Sequence, residues 1–156
     1  MNIFYSSKNP MICAKRLDNK RVVKMCLETT QILCTVCNEK GFQMPYKSTH
    51  KHHPCILWAG ESFNNFYWLW QHGFELCIEY TRRYGKNHKC LSILYKIRNI
   101  ICQLPFEPIG FTEPPNCTTF KHIKDTRKAY KLYLKEKWKN DKITPRWYKN
   151  ERTNSK

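Results

Sequence analysis

Apolar residues recur along most of the chain at the three- and four-residue spacing that marks one face of an α-helix. The longest such stripe lies in NKRVVKMCLETTQILCTVCNEK, which follows the capping residue Asp18 and stops at Gly41, where a helix end is favoured. Before it, Asn9 and Pro10 form a typical helix start, and this shorter helix is predicted to run to about Leu17. The opening of the chain therefore predicts a short helix followed by a long one.

The same spacing continues into the last quarter of the chain. Residues 54–84 form a helical region that ends at Gly85, residues 87–102 form a helix capped by Asn87, and residues 125–139 form a final helix. Between the last two lies LPFEPIGFTEPPN, whose four prolines predict a loop. A strand pattern is evident only in the opening NIFY. We therefore predict an all-α, compact single domain over residues 1–144, followed by a basic tail over residues 145–156.

Aromatic residues are concentrated in the region 54–84, and nine cysteines are spread through apolar stretches. Aromatic residues at helical spacing more often fill a core than hold a ligand, so most of these rings are predicted to be buried. The opening MNIFYSSKNP has neither the basic start nor the apolar run of a secretion signal, and no run of about 18 apolar residues occurs. We therefore expect an intracellular protein in a reducing compartment, without a membrane partner and with thiols packed as small hydrophobic groups.

The charge of the chain is strongly unbalanced. Lys and Arg number 28 against 12 Asp and Glu, which gives a net charge of +16, and the excess is large from Lys121 to the end. Such an excess on a small domain favours a polyanionic partner, chiefly nucleic acid. Trp138, Trp147 and Tyr148 are interleaved with the basic residues and can add base stacking to phosphate contacts. A solvated basic surface is the alternative interpretation.

Cysteine and histidine residues raise the question of a metal site. Cys34 and Cys37 form a CxxC pair that, together with His50, His52 and His53, can supply four zinc ligands. A structural zinc site normally has two spaced ligand pairs, and this CxxC lies inside an amphipathic helix, so neither a metal nor another cofactor is expected. Gly-rich phosphate loops, GxSxG and HExxH are absent, which argues against the commonest nucleotide hydrolases, esterases and metalloproteases.

One face of the long helix carries the most promising polar set. Arg21, Lys24 and Glu28 are spaced at i, i+3 and i+7, which places them together, away from most of the apolar stripe. A carboxylate among cations suits proton transfer or developing positive charge, and it equally suits an ordinary salt bridge. The loop YKSTHKHHP is interpreted as a phosphate-binding segment, in which His50 and His53 can also act as proton donors. Solvated loop histidines are the alternative.

Several segments together resemble the pyrimidine-dimer DNA glycosylases with abasic-site lyase activity, the phage endonuclease V type. They are a short N-terminal segment, LDNKRVVKMCLE, THKHHPCILWAGESFNNFYWL, ELCIEYTRRYGK and TPRWYKN. The similarity is closest to a phage and viral branch of that family. The resemblance implies a compact helical fold that flips a nucleotide out of duplex DNA. It further implies attack on the sugar C1′ by the N-terminal α-amine and strand cutting by elimination from the resulting imine.

Position by position, the resemblance implies specific roles. Glu28 matches the catalytic glutamate, and Met1 supplies the α-amine. Arg21 stands where the family has a histidine, so the resemblance implies a phosphate or sugar contact there without proton transfer. The chain departs from the family pattern at Asn2, which is expected to leave Met1 in place, whereas the family exposes the amine of a small residue.

The predicted site combines catalytic and DNA-contacting residues. The candidate catalytic residues are Met1, Glu28, His50 and His53. The residues expected to contact double-stranded DNA are Arg21, Lys24, Lys47, Lys51, His52, Arg82, Arg83, Lys86, Trp147, Tyr148 and Lys149. We predict a monomeric DNA repair enzyme that acts on damaged or modified pyrimidines, in the host cytoplasm or nucleus if it is viral. A nucleobase- or nucleotide-modifying enzyme on the same scaffold and a non-catalytic DNA-binding protein are the alternatives.

Overall fold

The computed structural model describes residues 1–148, which contain six α-helices and one 3-10 turn and no β-strand beyond an isolated bridge between Ser62 and Glu107. The predicted all-α fold is confirmed. The long fourth helix packs against the first, second, third and fifth helices. None of the helices in this part of the chain has the length and apolar composition needed to cross a membrane. In chain order the elements are α1 (Pro10–Arg16), α2 (Asn19–Glu39), α3 (Pro54–Glu61), α4 (Phe63–Tyr84), α5 (Cys90–Ile100), the 3-10 turn (Ile101–Gln103) and α6 (Thr126–Asn140).

Local sequence signals set most helix ends. The side chain of Asn9 caps α1, as predicted, and that of Asp125, expected to be the first helical residue, accepts hydrogen bonds from amides in the first turn of α6. Gly85 ends α4 in the left-handed conformation, with a φ of 68°. The helical region 54–84 is divided by Ser62, whose extended backbone ends α3 and whose hydroxyl caps α4.

Two predicted helix caps are wrong. Asp18 precedes α2 but makes no capping bond, because its carboxylate accepts hydrogen bonds from Arg21 and from the indole of Trp138. The helix expected to start at Asn87 begins three residues later, where Nδ1 of His88 accepts the amide of the first helical residue at 3.1 Å. In the first case Arg21, one turn away, and Trp138 of α6 occupy the capping carboxylate, and in the second a histidine replaces the expected asparagine as the capping residue.

The N-terminal segment is buried although it belongs to no helix or strand. Ile3 and Tyr5 are fully buried, and Phe4 is nearly so. The Phe4 ring stacks on Tyr133 with centroids 6.0 Å apart and meets Tyr130 edge-on, so α6 covers the segment from one side. The apolar residues that resembled a strand therefore fill the core as an irregular segment.

Asn2 supplies the hydrogen bonds that a neighbouring strand would otherwise provide. Its side-chain oxygen accepts the amides of Ile3 at 2.7 Å and Phe4 at 3.1 Å, which satisfies two buried donors. Phe4 has a φ of 56°, a conformation that is strained for an aromatic residue and is held here by the packing around it. This turn fixes the position of Met1.

Four of the nine aromatic rings of α3 and α4 are buried in the core and two more, Phe74 and Tyr80, pack against it, which is fewer buried rings than predicted. The exceptions include Phe63 and Tyr67, which are each 38% exposed and stack on one another along the outer face of α4. Among the nine cysteines, seven are buried, Cys117 is half-buried and Cys102 is exposed. The buried aromatic side chains are Trp58, Phe66, Trp68 and Trp70.

The proline-rich segment between the 3-10 turn and α6 is a loop, as predicted, and it is anchored to the helices on both sides. The backbone of Thr112 accepts the Trp58 indole at 3.0 Å and donates to the Asn65 side chain at 2.9 Å. Further along, the hydroxyl of Tyr130 in α6 accepts the amide of Cys117 at 3.3 Å. These anchors bring Cys117 beside the N-terminal segment.

Candidate functional site

A cavity of about 330 Å³ opens where the N-terminal segment, α2 and α6 meet, and we term it the N-terminal pocket. Met1 and Glu28, which the sequence placed in separate elements, both line this cavity. The exposed lysines around it give its rim a positive charge. The lining residues are Met1, Asn2, Phe4, Lys20, Arg21, Lys24, Glu28, Cys117, Tyr133, Lys137 and Asp141.

Glu28 is the half-buried acid of the N-terminal pocket. Its side chain is 17% exposed, and its Oε1 lies 3.3 Å from Nζ of Lys24, one turn earlier on α2. Lys24 is 66% exposed and projects to solvent. A carboxylate held in a cavity beside an amine can accept a proton or stabilise a developing cation.

His53 lies within electrostatic range of the same pocket. Burial lowers its pKa, the positively charged N-terminus and His50 act in the same direction, and Glu28 opposes them. Its Nδ1 accepts the Cys55 amide at 3.1 Å and so caps α3, which leaves Nε2 as the protonated nitrogen of the neutral ring. His50 is exposed, adopts a φ of 47° and does not line the pocket.

Arg21 also lines the pocket, but its guanidinium is already paired. Nη1 donates to Asp18 at 2.8 Å and to Asp141 at 2.7 Å, and the side chain is 8% exposed. The hydrogen bond from Arg21 is the main cause that lowers the pKa of Asp141. This position argues against the predicted phosphate contact, because two carboxylates neutralise the cation and hold the end of α6 against α2.

The family model described as pyrimidine dimer DNA glycosylase matches residues 1–92, more than half of the chain. The chain belongs to this family. No curated protein and no solved structure matches it significantly. The family implies a DNA substrate, and the matched residues include Met1, Glu28 and His53.

The two arginines at the end of α4 occupy different environments in this glycosylase-family fold. Arg83 has 1% of its side chain exposed, pairs with Glu79 at 3.0 Å and donates to the carbonyl of Leu17 at 2.8 Å. Its burial is at odds with the DNA contact predicted for it, since the guanidinium joins α4 to the α1–α2 connection. Arg82 is 46% exposed, pairs with Glu79 at 2.7 Å and lies over the ring of Tyr148 at 4.7 Å.

The described part of the tail lies against the helical body. The indole of Trp147 donates to the carbonyl of Arg16 at 2.9 Å and packs on Trp138 with ring centroids 5.1 Å apart. Trp147 therefore anchors the tail, whereas Tyr148 is 62% exposed. Lys149, also predicted to contact DNA, lies outside the described residues.

The histidine-rich loop reaches a second surface as well. Nζ of Lys51 lies 2.8 Å from Oε1 of Glu39, and His52 lines the same shallow surface. Glu39 follows Glu28 by 11 residues on α2, which corresponds to about 16 Å along the helix. His53 therefore lies beside Cys117 at the N-terminal pocket without lining it, whereas Lys51 and His52 lie on the second surface. Two further predicted contacts are exposed: Lys47 and Lys86.

Some pocket residues were missed by the sequence analysis. Lys20 lies one helical turn before Lys24, so the spacing along α2 was sufficient to find it. Lys137 and Tyr133 come from α6, and Nζ of Lys137 lies 5.0 Å from the Tyr133 ring centroid. No local pattern links α6 to α2, so only the packing of the two helices reveals these residues.

The CxxC pair does not join the histidines in the described part of the chain. Burial raises the pKa of Cys34 to about 11 and that of Cys37 to about 12, which keeps both thiols protonated. Among residues 1–148 two other groups bring sulfur and imidazole ligands close together, and the CxxC pair belongs to neither. These groups are Cys26, Cys77 and His88, and His53, Cys55 and Cys117.

Proposed function

We propose that this chain is a DNA glycosylase with abasic-site lyase activity on damaged or modified pyrimidines in duplex DNA. The observation that carries the proposal is that Met1 and Glu28 line one cavity in a member of the pyrimidine dimer DNA glycosylase family. The positive rim of that cavity supports the same substrate class, since phosphate contacts position a protein on DNA.

The α-amine of Met1 is the proposed nucleophile. It attacks C1′ of a flipped nucleotide and the bond from C1′ to the base breaks, the base leaving with a proton. The C1′–O4′ bond of the sugar ring then opens, O4′ takes up a proton, and the C=N bond of an imine forms between the sugar and the protein. Loss of a proton from C2′ then allows elimination of the 3′ phosphate, which cuts the strand. Glu28 is the proposed proton acceptor, and its negative charge also stabilises the positively charged intermediate.

DNA binding is assigned to the cations around the pocket. Lys20, Lys24 and Lys137 line the cavity and are exposed, so they can reach phosphates on either side of a flipped nucleotide. The exposed ring of Tyr148 supports a contribution from the tail, and the boundary between a domain over 1–144 and a tail over 145–156 stays a prediction.

A nucleobase- or nucleotide-modifying activity on the same scaffold is the second candidate. The packing of Met1 favours it, because the methionine side chain is partly buried against the core beside its own amine. A bulky side chain at this position restricts how closely a sugar can approach the nitrogen. A modifying enzyme would not need that amine as a nucleophile.

Borohydride trapping on a duplex with a single abasic site tests the proposal. We expect a covalent adduct that maps to the Met1 amine, that is absent from an N-terminally acetylated chain and that is retained in Glu39→Gln. An adduct on a lysine would keep the lyase but replace the nucleophile. Absence of any adduct, with salt-sensitive DNA binding intact, would overturn the lyase in favour of the modifying or purely binding protein.

A further inference from the structure

Two thiols meet at the wall of the N-terminal pocket. Sγ of Cys55, from α3, lies 3.8 Å from Sγ of Cys117, from the proline-rich loop. Cys55 is fully buried, whereas Cys117 is half-buried and lines the pocket. A small molecule that enters the pocket therefore reaches Cys117, with Cys55 directly behind it.

The surroundings of the two sulfurs assign them different protonation states. The hydrogen bond with Cys55 is the main cause that lowers the pKa of Cys117, and Lys121 and the N-terminus add positive charge nearby. The same hydrogen bond, together with burial, raises the pKa of Cys55. Cys117, which also faces the pocket, is thus assigned as the nucleophile, and the fully buried Cys55 as its thiol partner.

His53 completes the cluster, with a ring nitrogen within 4.8 Å of both sulfurs. Its Nδ1 already accepts the Cys55 amide, so the neutral ring carries its proton on Nε2. A protonated Nε2 is a hydrogen-bond donor and not a metal ligand. The arrangement therefore suits a stabilised thiolate better than a metal centre.

We propose that Cys117 and Cys55 form a redox-active thiol pair that peroxide converts to a disulfide. The Cys117 thiolate attacks one oxygen of hydrogen peroxide, an S–O bond forms as the O–O bond breaks, and the departing hydroxide takes up a proton to become water. The Cys55 thiol then attacks the sulfenic sulfur, forming the S–S bond and releasing a second water that carries the Cys55 proton. Two electrons pass from the thiols to the peroxide.

Oxidation would change the shape of the N-terminal pocket. A disulfide holds its sulfurs about 2 Å apart, so the 3.8 Å gap between Cys55 and Cys117 must close by nearly half. The carbonyl of Cys117 accepts the side chain of Asn2 at 3.4 Å, and that side chain sets the turn after Met1. A shift of Cys117 is therefore transmitted to the N-terminal residue.

Peptide mapping of the full chain tests the pair whether or not the enzyme is a glycosylase. The reduced chain is treated briefly with dilute hydrogen peroxide, remaining thiols are alkylated, and peptides are identified by mass spectrometry. We expect one intramolecular disulfide, with loss of two hydrogens, between Cys55 and Cys117. The matched control is Cys26 with Cys77, whose sulfurs lie within 4.8 Å of each other but are both fully buried. That pair should stay reduced.

Variants separate the two roles. In Cys55→Ser, Cys117 should stop at the sulfenic acid, which dimedone captures, and in Cys117→Ser, Cys55 should stay reduced. Cys102 is the control for exposure alone, since it is exposed and should react more slowly than Cys117. Oxidation of Cys102 or of Cys26 with Cys77 ahead of the proposed pair would overturn the proposal. So would one tightly bound zinc ion per chain that protects the pair from peroxide. Mapping of the unmodified chain gives this answer even if a variant fails to fold.

Discussion

Two glutamates of helix α2 pair with lysines in different environments. Near the middle of the helix, Glu28 lies 3.3 Å from Lys24, is 17% exposed and lines a cavity with Met1. At its end, Glu39 lies 2.8 Å from Lys51, and both side chains are about half exposed, at 43% and 52%. The shorter ion pair is therefore the one in solvent.

The contrast teaches that burial and neighbours identify a functional carboxylate better than ion-pair distance does. Water screens the attraction between Glu39 and Lys51, so the pair contributes little to stability. Glu28 acts across a partly enclosed cavity, where electrostatic interactions are stronger, and its charge reaches His53. Variants near the N-terminal pocket should therefore differ from variants near Glu39 in catalysis, stability, DNA affinity and pH dependence.

The largest difference between the two environments is expected in the rate of strand cutting when Glu28 and Glu39 are each replaced by glutamine. We expect Glu28→Gln to lower the single-turnover rate of strand cutting on a pyrimidine-lesion duplex by roughly 10³-fold, or about 4 kcal/mol, because the proton acceptor is lost. Glu39→Gln should cut at the wild-type rate. Equal rates in the two variants would remove Glu28 from the proposed chemistry.

Removing Arg21, at the start of α2, should lower the free energy of unfolding more than removing Lys51, which pairs with Glu39 at the end of α2. Arg21→Met leaves the carboxylates of Asp18 and Asp141 without their shared partner, and we expect the free energy of unfolding to fall by about 3 kcal/mol. Lys51→Met should change it by about 0.5 kcal/mol or less. Urea unfolding of both variants measures the difference, and similar values would contradict the structural role given to Arg21.

DNA affinity should respond more at the pocket rim than near Glu39. Lys137→Gln removes a cation that lines the pocket, so we expect several-fold weaker binding to duplex DNA and a salt-dependence slope smaller by about 1. Lys51→Gln should have a weaker effect, because Glu39 already neutralises that lysine. Fluorescence anisotropy across a range of salt concentrations measures both. A larger loss of affinity in Lys51→Gln than in Lys137→Gln would indicate that DNA binds the surface around Glu39.

The smallest expected effect is on the pH dependence of stability. The folded-state pKa of Asp141 is lowered by its hydrogen bond to Arg21, so its carboxylate stabilises the fold above the unfolded pKa. That contribution is lost as the pH falls below about 4. We expect Asp141→Asn to have a lower free energy of unfolding than wild type at neutral pH. As the pH falls below about 4, that free energy should decrease less steeply in Asp141→Asn than in wild type. Lys51 also lowers the pKa of the exposed Glu39, so Glu39→Gln should show a change of the same sign but smaller. A wild-type curve for Asp141→Asn would exclude the linkage.

Much of the helical architecture was predictable from local residues. Asn9 and Gly85 act as the sequence indicates, because a cap depends on amides within one turn of the same residue. Asp18 was mispredicted because its carboxylate has a stronger partner in Arg21 and a second one in α6. Local propensity fails where a distant group competes for the same side chain.

The candidate site was predictable only in part. Helical spacing places Lys24 and Glu28 on one face of α2, and the family resemblance assigns the N-terminal amine. The resemblance also implied a phosphate or sugar contact for Arg21, and neither it nor the spacing along α2 reveals that an acid from α6 pairs with the guanidinium. The burial of Arg83 escaped prediction for the same reason, since its charge is used in contacts with Glu79 and the α1–α2 connection.

The sequence by itself determined the helices, the basic character of the chain and the face shared by Lys24 and Glu28, because each depends on composition or on residues within a few turns. Only the tertiary structure decided that Met1 lines the same cavity as Glu28 and that Arg21 pairs with Asp141 of the distant α6 end as well as with Asp18. Only the tertiary structure also brought Cys55 to Cys117. Contacts such as those of Arg21 with Asp141 and of Cys55 with Cys117 join residues 120 and 62 positions apart. Such partners are chosen by how α2, α3, α6 and the proline-rich loop pack around one core, which no local pattern encodes.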